Sequence, residues 1–250
     1  MRLLIAAWRS WRILLHVLGG IWTVYTVFPG LTPLQKKERI QAWALALLAQ
    51  AAIKLIVTGQ PAPTGPMLLA ANHISWLDIM VLHAARYCRF VSKSELKHWP
   101  LVGTLATAAG TLYIERDSRR DAMRVVHRMA ECLQQGDVLA VFPEGTTGDG
   151  THVLPFHANL LQAAISANAP VQPISLHFAD ELTGAVSFAP CYVGDDTLIA
   201  SLWRTLSATG VVAVLHFGEP QWANGRDRRA WAADLRSTIT ALRGPVKLPG

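Results

Sequence analysis

The chain has 250 residues and a formal net charge of +6, with 51% apolar and only 16% charged residues, a composition that excludes disorder, collagen-like repeats and a disulfide-stapled miniature domain. Its three cysteines, Cys88, Cys132 and Cys191, form neither an even set nor a C-x-x-C pair, and read as buried thiols of a reducing compartment. Residues 1–60 hold seven bases against one acid, whereas residues 61–250 hold sixteen of each, so the charge excess is an N-terminal property and argues against a basic nucleic-acid-binding domain.

The first sixty residues contain two apolar runs. Sixteen uncharged residues separate Arg12 from Pro29, a helical length of about 24 Å that falls short of a ~30 Å hydrocarbon core. The second run, residues 40–57, is interrupted by Gln41, Gln50 and Lys54. Bases flank the first run on both sides (Arg2, Arg9, Arg12, then Lys36, Lys37, Arg39), which favours both ends on one membrane face. Trp8, Trp11, Trp22 and Trp43 suit the headgroup level. The expectation is a membrane-associated helical hairpin over residues 1–58; the alternative is a pair of ordinary core helices. A secretory signal is disfavoured, because no clear small-x-small site follows the run and Pro29-Gly30 and a basic cluster do.

The turn-rich stretch 59–66 marks the start of a second unit, residues 59–250. Strands are expected at 67–71, 89–92, 111–115, 138–142, 171–177 and 211–217. Helices are expected at 76–86, 118–134, 156–168, 197–207 and 227–242. In the second of these helices Ala122, Val125, Val126, Met129 and Leu133 keep helical spacing while Arg120, Arg124 and Arg128 share another face. The alternation predicts an α/β domain with a mixed sheet flanked by helices, its functional residues gathered where strands end. Residues 86–128 carry nine bases against four acids, and residues 129–203 eight acids and no base, so an anionic substrate would be drawn to the former.

Walker, dinucleotide, nucleophile-elbow and zincin signatures are absent. The segment Asn72-His-Ile-Ser-Trp-Leu-Asp78 directly follows an expected strand. On one continuous helix His73 and Asp78 would lie about 140° apart, so they meet only if His73 precedes the helix. The S-x-x-D pattern from Ser75 to Asp78 supplies that start, at Trp76. A loop imidazole beside a first-turn carboxylate is a general-base arrangement; spacing alone equally permits Asp78 as a cap and His73 as a turn residue.

Three further segments stand in order behind it: Gly110-Thr-Leu-Tyr-Ile-Glu-Arg116, Val141-Phe-Pro-Glu-Gly-Thr146 and Val171-Gln-Pro-Ile174. Together with NHISWLD they resemble the four motifs of the glycerolipid acyltransferase family, in particular bacterial 1-acylglycerol-3-phosphate acyltransferases, over about residues 68–177. The resemblance implies His73 as the base that deprotonates the acceptor hydroxyl, Asp78 as its partner, and no acyl-enzyme on Ser75. It implies Arg116 for the acceptor phosphate, Glu144 and Gly145 shaping the acceptor site, and a structural Pro173. Backbone N–H groups near Gly145 and Thr146 are candidates for holding an oxyanion.

No metal or cofactor is implied; acyl-CoA or acyl carrier protein is the co-substrate, a lysolipid the acceptor, membrane lipid the setting, and the cytoplasmic face of the inner membrane the place. Thr147 and His157 stand where the family usually has cations, which raises lyso-ornithine lipid as a second acceptor. A non-catalytic lipid-binding protein and a metal hydrolase are the alternatives of other classes, the latter without ligand spacing in the nine histidines.

Overall fold

The structure, a computed structural model, describes residues 2–114 and 119–244. Two N-terminal helices, α1 (Arg2–Thr26) and α2 (Pro33–Gln50), lead into β1 (Ile53–Gly59) and β2 (Met67–Ala71). There follow α3 (Leu77–Ala85), β3 (Arg89–Lys93), α4 (Val102–Ala108), β4 (Leu112–Ile114), α5 (Arg119–Gln134) and β5 (Val138–Val141). The remaining elements are α6 (Leu161–Ala167), β6 (Val171–Asp180), α7 (Leu198–Ser207), β7 (Val211–Phe217) and α8 (Arg228–Ala241).

Among the described residues seven strands form one sheet in the order β1-β7-β6-β2-β5-β3-β4. All neighbours are parallel except β6 and β7, so the sheet is mixed. β2 lies at its centre and shows why a strand there reads as an unbroken apolar run. Met67, Leu69 and Ala71 enter the core on one face, with side chains of α2, α3 and α7, while Leu68 and Ala70 enter the core on the other, with α5, α6 and α8. Period-two alternation with both faces covered leaves no position for a polar residue.

β1 is the main departure from the sequence expectation. The sheet begins before residue 59, because Ile53–Gly59 pairs in parallel with Val211–Phe217. The apolar run 40–57 is thus a helix and a strand joined at Ala52, which turns the chain with φ +55°. Two of its polar interruptions have partners: Gln41 Nε2 donates to the Ala84 and Ala85 carbonyls at the end of α3 (3.1 and 3.2 Å), and Lys54 pairs with Glu181. The short helix α4 was also unforeseen.

The N-terminal helices α1 and α2 pack against each other across a short connection. Pro29 and Gly30 end the first, and Thr32 and Gln35 cap the second reciprocally, with Pro33 in its first turn. Gly20 admits the Trp43 indole, since a Cβ there would lie 2.6 Å from Nε1. His16 stacks on the same indole at 4.8 Å between centroids. Trp43 is therefore half-buried in the hairpin, whereas Trp8, Trp11 and Trp22 are exposed. α1 extends through the bases expected to precede it: Arg9 donates to Leu206 O (3.0 Å) and Ala208 O (2.6 Å) and satisfies the C-terminal end of α7. Among the described residues no helix is long and apolar enough to cross a membrane.

Candidate active site

The C-terminal ends of the two central strands β2 and β5 bring His73 and Glu144 together. β2 runs parallel to both of its neighbours, β5 and β6, and the carboxyl ends of such strands are where crevices form. α3 starts at Leu77, one residue later than expected, and Trp76 makes no side-chain cap. The Asp78 carboxylate instead reaches back, its Oδ2 accepting from the amides of Ile74 (2.6 Å) and Ser75 (2.9 Å) and meeting His73 Nδ1 at 2.8 Å. Ser75 Oγ is buried and accepts from the Leu77 amide (3.2 Å), an orientation that serves the helix start and not a nucleophile.

An oxygen that already accepts two N–H groups assigns the third partner as a donor, so Nδ1 carries the His73 ring proton and Nε2 presents its lone pair outward. The ring is also held flat. Phe142 stacks on it with 3.9 Å between centroids and 8° between planes, and Phe90 of the core stacks on Phe142 at 5.8 Å. Asp78 is fully buried while the His73 side chain keeps 18% of its surface. A buried carboxylate beneath a partly open imidazole is the geometry of a base that must gain and then lose a proton.

Glu144 does not face outward toward an acceptor. It is buried, with Oε1 accepting from the His73 amide (2.6 Å) and Oε2 from the Leu154 amide (2.7 Å). Burial pushes its carboxyl above the usual range, and the two backbone donors oppose that shift. The two bonds tie the backbone at His73 to that at Leu154. The His73 carbonyl is fixed in turn by the Gly148 amide (2.8 Å), and Asn72 exchanges two hydrogen bonds with the Leu176 backbone (2.8 and 2.7 Å).

Gly145 has φ +70°, and a Cβ on it would come within 2.7 Å of the His157 ring. The close approach that demands glycine is therefore made by His157. The Gly145 amide donates to Phe142 O at 3.0 Å and is spent on the turn; Thr146 is exposed beside it. Thr147 does not point a free hydroxyl into the site, since its Oγ1 donates to the Tyr192 carbonyl. Pro173 pairs with Ala70 inside the sheet, as expected of a structural residue. Arg116 lies outside the described residues.

Several contributors carry no signal in sequence spacing: Phe142 as the stacking partner, and the segment around Tyr192, whose amide donates to Ile74 O at 3.1 Å. The three cysteines are all buried and free. Burial pushes the Cys88 thiol up to about 12 and the Cys191 thiol up to about 11, so neither is a reactive thiolate.

Residues 54–177 match the family model described as Acyltransferase. A lyso-ornithine lipid O-acyltransferase of Pseudomonas aeruginosa is 36% identical over 212 residues, 84% of this chain and 81% of that protein. The chain belongs to the acyltransferase family. A 1-acyl-sn-glycerol-3-phosphate acyltransferase of Neisseria gonorrhoeae is 37% identical over 213 residues, 84% of this chain and 82% of that one. The fold is that of the 1-acyl-sn-glycerophosphate acyltransferase PlsC of Thermotoga maritima, with a TM-score of 0.69, 18% identity and 97% of each chain covered. The protein is thus an acyltransferase of the type that acts on lysophosphatidic acid or lyso-ornithine lipid, and the buried Asp78 and Glu144 sit within the segment its family shares.

Proposed function

We propose that this acyltransferase moves a fatty acyl group from acyl-CoA or acyl carrier protein to the free hydroxyl of 1-acyl-sn-glycerol-3-phosphate, giving phosphatidic acid, at the cytoplasmic face of the inner membrane. The observation that carries the reaction is the His73–Asp78 pair, with Nδ1 bound at 2.8 Å to a fully buried carboxylate and the His73 side chain partly exposed. Nε2 takes the proton of the acceptor hydroxyl as its oxygen attacks the thioester carbonyl. The tetrahedral oxyanion is met by backbone donors, for which Thr146 is the candidate because the Gly145 amide is already used. Collapse expels the thiolate, which recovers the proton from Nε2 and leaves as the thiol. No atom of the protein is acylated.

A phosphate acceptor is supported by a cleft of about 380 Å³ lined by Lys97, His98 and Tyr113, with Arg124 and Arg128 beside them, paired to Asp121 and Glu131. Arg116, by resemblance, is assigned to the same anion. Membrane attachment is supported by the outward face of α1, where Leu4, Trp8, Trp11, Leu15, Leu18, Trp22 and Tyr25 are exposed at helical spacing. Lyso-ornithine lipid is the second reading of the acceptor. It is favoured by Thr147, bound to the Tyr192 carbonyl, and by His157, packed on Gly145, at positions where the family usually carries cations.

Extracted enzyme offered both lysolipids with one acyl-CoA decides between the acceptors. Higher kcat/KM for the phosphate acceptor supports the first reading. Preference for lyso-ornithine lipid overturns it and leaves the chemistry at His73 in place.

A further inference from the structure

The backbone from Gly148 to Leu154 holds His73 from below, through the Gly148 amide on His73 O and the Leu154 amide on Glu144. No helix or strand lies between residues 142 and 157, so the carbonyls of this stretch need outside partners. Two arginines from the C-terminal end of the chain supply them. Arg236 of α8 places Nε at 3.0 Å and Nη2 at 2.7 Å from Val153 O. Arg243, just past the helix, donates through Nη1 to Thr151 O (3.2 Å) and through Nη2 to Gly150 O.

Arg243 is half-buried, and its Nε is buried without an acceptor. Burial lowers its pKa, while the Glu144 and Asp149 carboxylates favour the charge. Leaving a guanidinium donor unsatisfied is costly unless its other contacts hold it there. On the opposite side of the stretch, Gly150 with φ +80° rests on Ile74, where a Cβ would lie 3.2 Å from Cδ1. Ile74 in turn donates its amide to Asp78. The stretch is wedged between the arginines and the backbone that orients the base.

We propose that Arg243, backed by Arg236, is a positioning residue for acyl transfer: it clamps the Gly150–Val153 carbonyls so that Gly148 and Glu144 hold His73 in register with Asp78. This inference rests on the acyl-transfer reading of His73. Both arginines lie beyond residue 177, where the family match ends, so the C-terminal helix completes a site built mainly by the matched segment.

Steady-state kinetics of the full chain on lysolipid-containing vesicles tests it, with thermal unfolding of each variant alongside. Arg243→Gln should lower kcat on the order of 10- to 100-fold, the effect of a small misplacement of a catalytic group, with both KM values within about twofold of wild type. Arg243→Lys, which keeps a charged donor, should recover most of that loss. Arg226→Gln removes an arginine that lies just before the same helix and binds Trp222 O, Ala223 O and the Asp234 carboxylate; it should keep kcat at a comparable change in midpoint. Gly150→Ala presses the stretch from the Ile74 side and should reproduce the kcat loss, which decides the matter if Arg243→Gln does not fold. Unchanged kcat in Arg243→Gln, a loss equal to that of Arg226→Gln, or a rise in KM alone would overturn the assignment. His73→Ala run in parallel separates the two ideas: if it is inactive while Arg243→Gln is normal, only the clamp fails, and if it stays active, the acyl-transfer reading fails and the clamp with it.

Discussion

The ends of β2 and β5 and the outward face of α1 break opposite rules of folding. At the first, Asp78 and Glu144 are carboxylates buried nearly completely, which costs several kcal/mol each unless hydrogen bonds compensate. At the second, Trp8, Trp22 and Tyr25 keep 61%, 71% and 69% of their surface exposed, forgoing roughly 1.5–3 kcal/mol of burial for each large apolar side chain. Stability alone would exchange the two compositions. Under the proposed function their coexistence has one reading: the first region is arranged for chemistry, and the second, on α1, for the lipid surface that holds the acceptor.

The contrast can be broken most sharply at the base. His73→Ala should reduce turnover by about 10³-fold or more, in the range of a lost general base, while vesicle binding, measured by flotation, stays at the wild-type level. Asp78→Asn comes next, with a loss on the order of 100-fold, because the amide can turn its NH₂ toward Nδ1 and favour the wrong tautomer. Chemical denaturation should show it less stable as well, since the Ile74 and Ser75 amides share that oxygen. The opposite pattern is expected for Trp8→Ser combined with Trp22→Ser. Partitioning onto anionic vesicles should fall on the order of 10- to 100-fold, with turnover of a soluble short-chain substrate pair within about twofold of wild type. Variants that lose both properties together would remove the division between the regions.

A smaller effect concerns the core between them. His83 is buried beside Phe90, and burial lowers its pKa from 6.5 to about 4. A depressed folded-state value means that the neutral ring is favoured by folding. The associated stability is fully present above pH 6.5 and is lost as the pH falls from there through about 4, up to about 3 kcal/mol. Urea midpoints at pH 7 and pH 4.5 should therefore differ more in wild type than in His83→Leu, and equal differences would remove His83 as the cause.

Much of the fold was legible because β2, β5, β6 and β7 are short apolar runs closed by turns, and their burial on both faces leaves little ambiguity. β1 was not, since Ile53–Gly59 follows α2 with no Gly or Pro between them and only the turn at Ala52 divides them. The His73–Asp78 pair was legible because it is local, five residues apart across a helix start. Glu144 was placed at the site from its motif, but its inward orientation depends on amides at positions 73 and 154, which no local pattern encodes. Trp43 looked like the other tryptophans of the hairpin, and only the space at Gly20 turns it inward. Arg236 of α8 and Arg243 just past it were silent for the same reason, because they act across 83 to 93 residues of chain.

The most direct test of the account is the stoichiometry of the reaction on vesicles. Free thiol and diacyl lipid should appear one for one from acyl-CoA, only when a lysolipid is present, and neither should form above background with His73→Ala. Thiol release without lysolipid, or product formation at the wild-type rate in His73→Ala, would contradict acyl transfer by a His73 base.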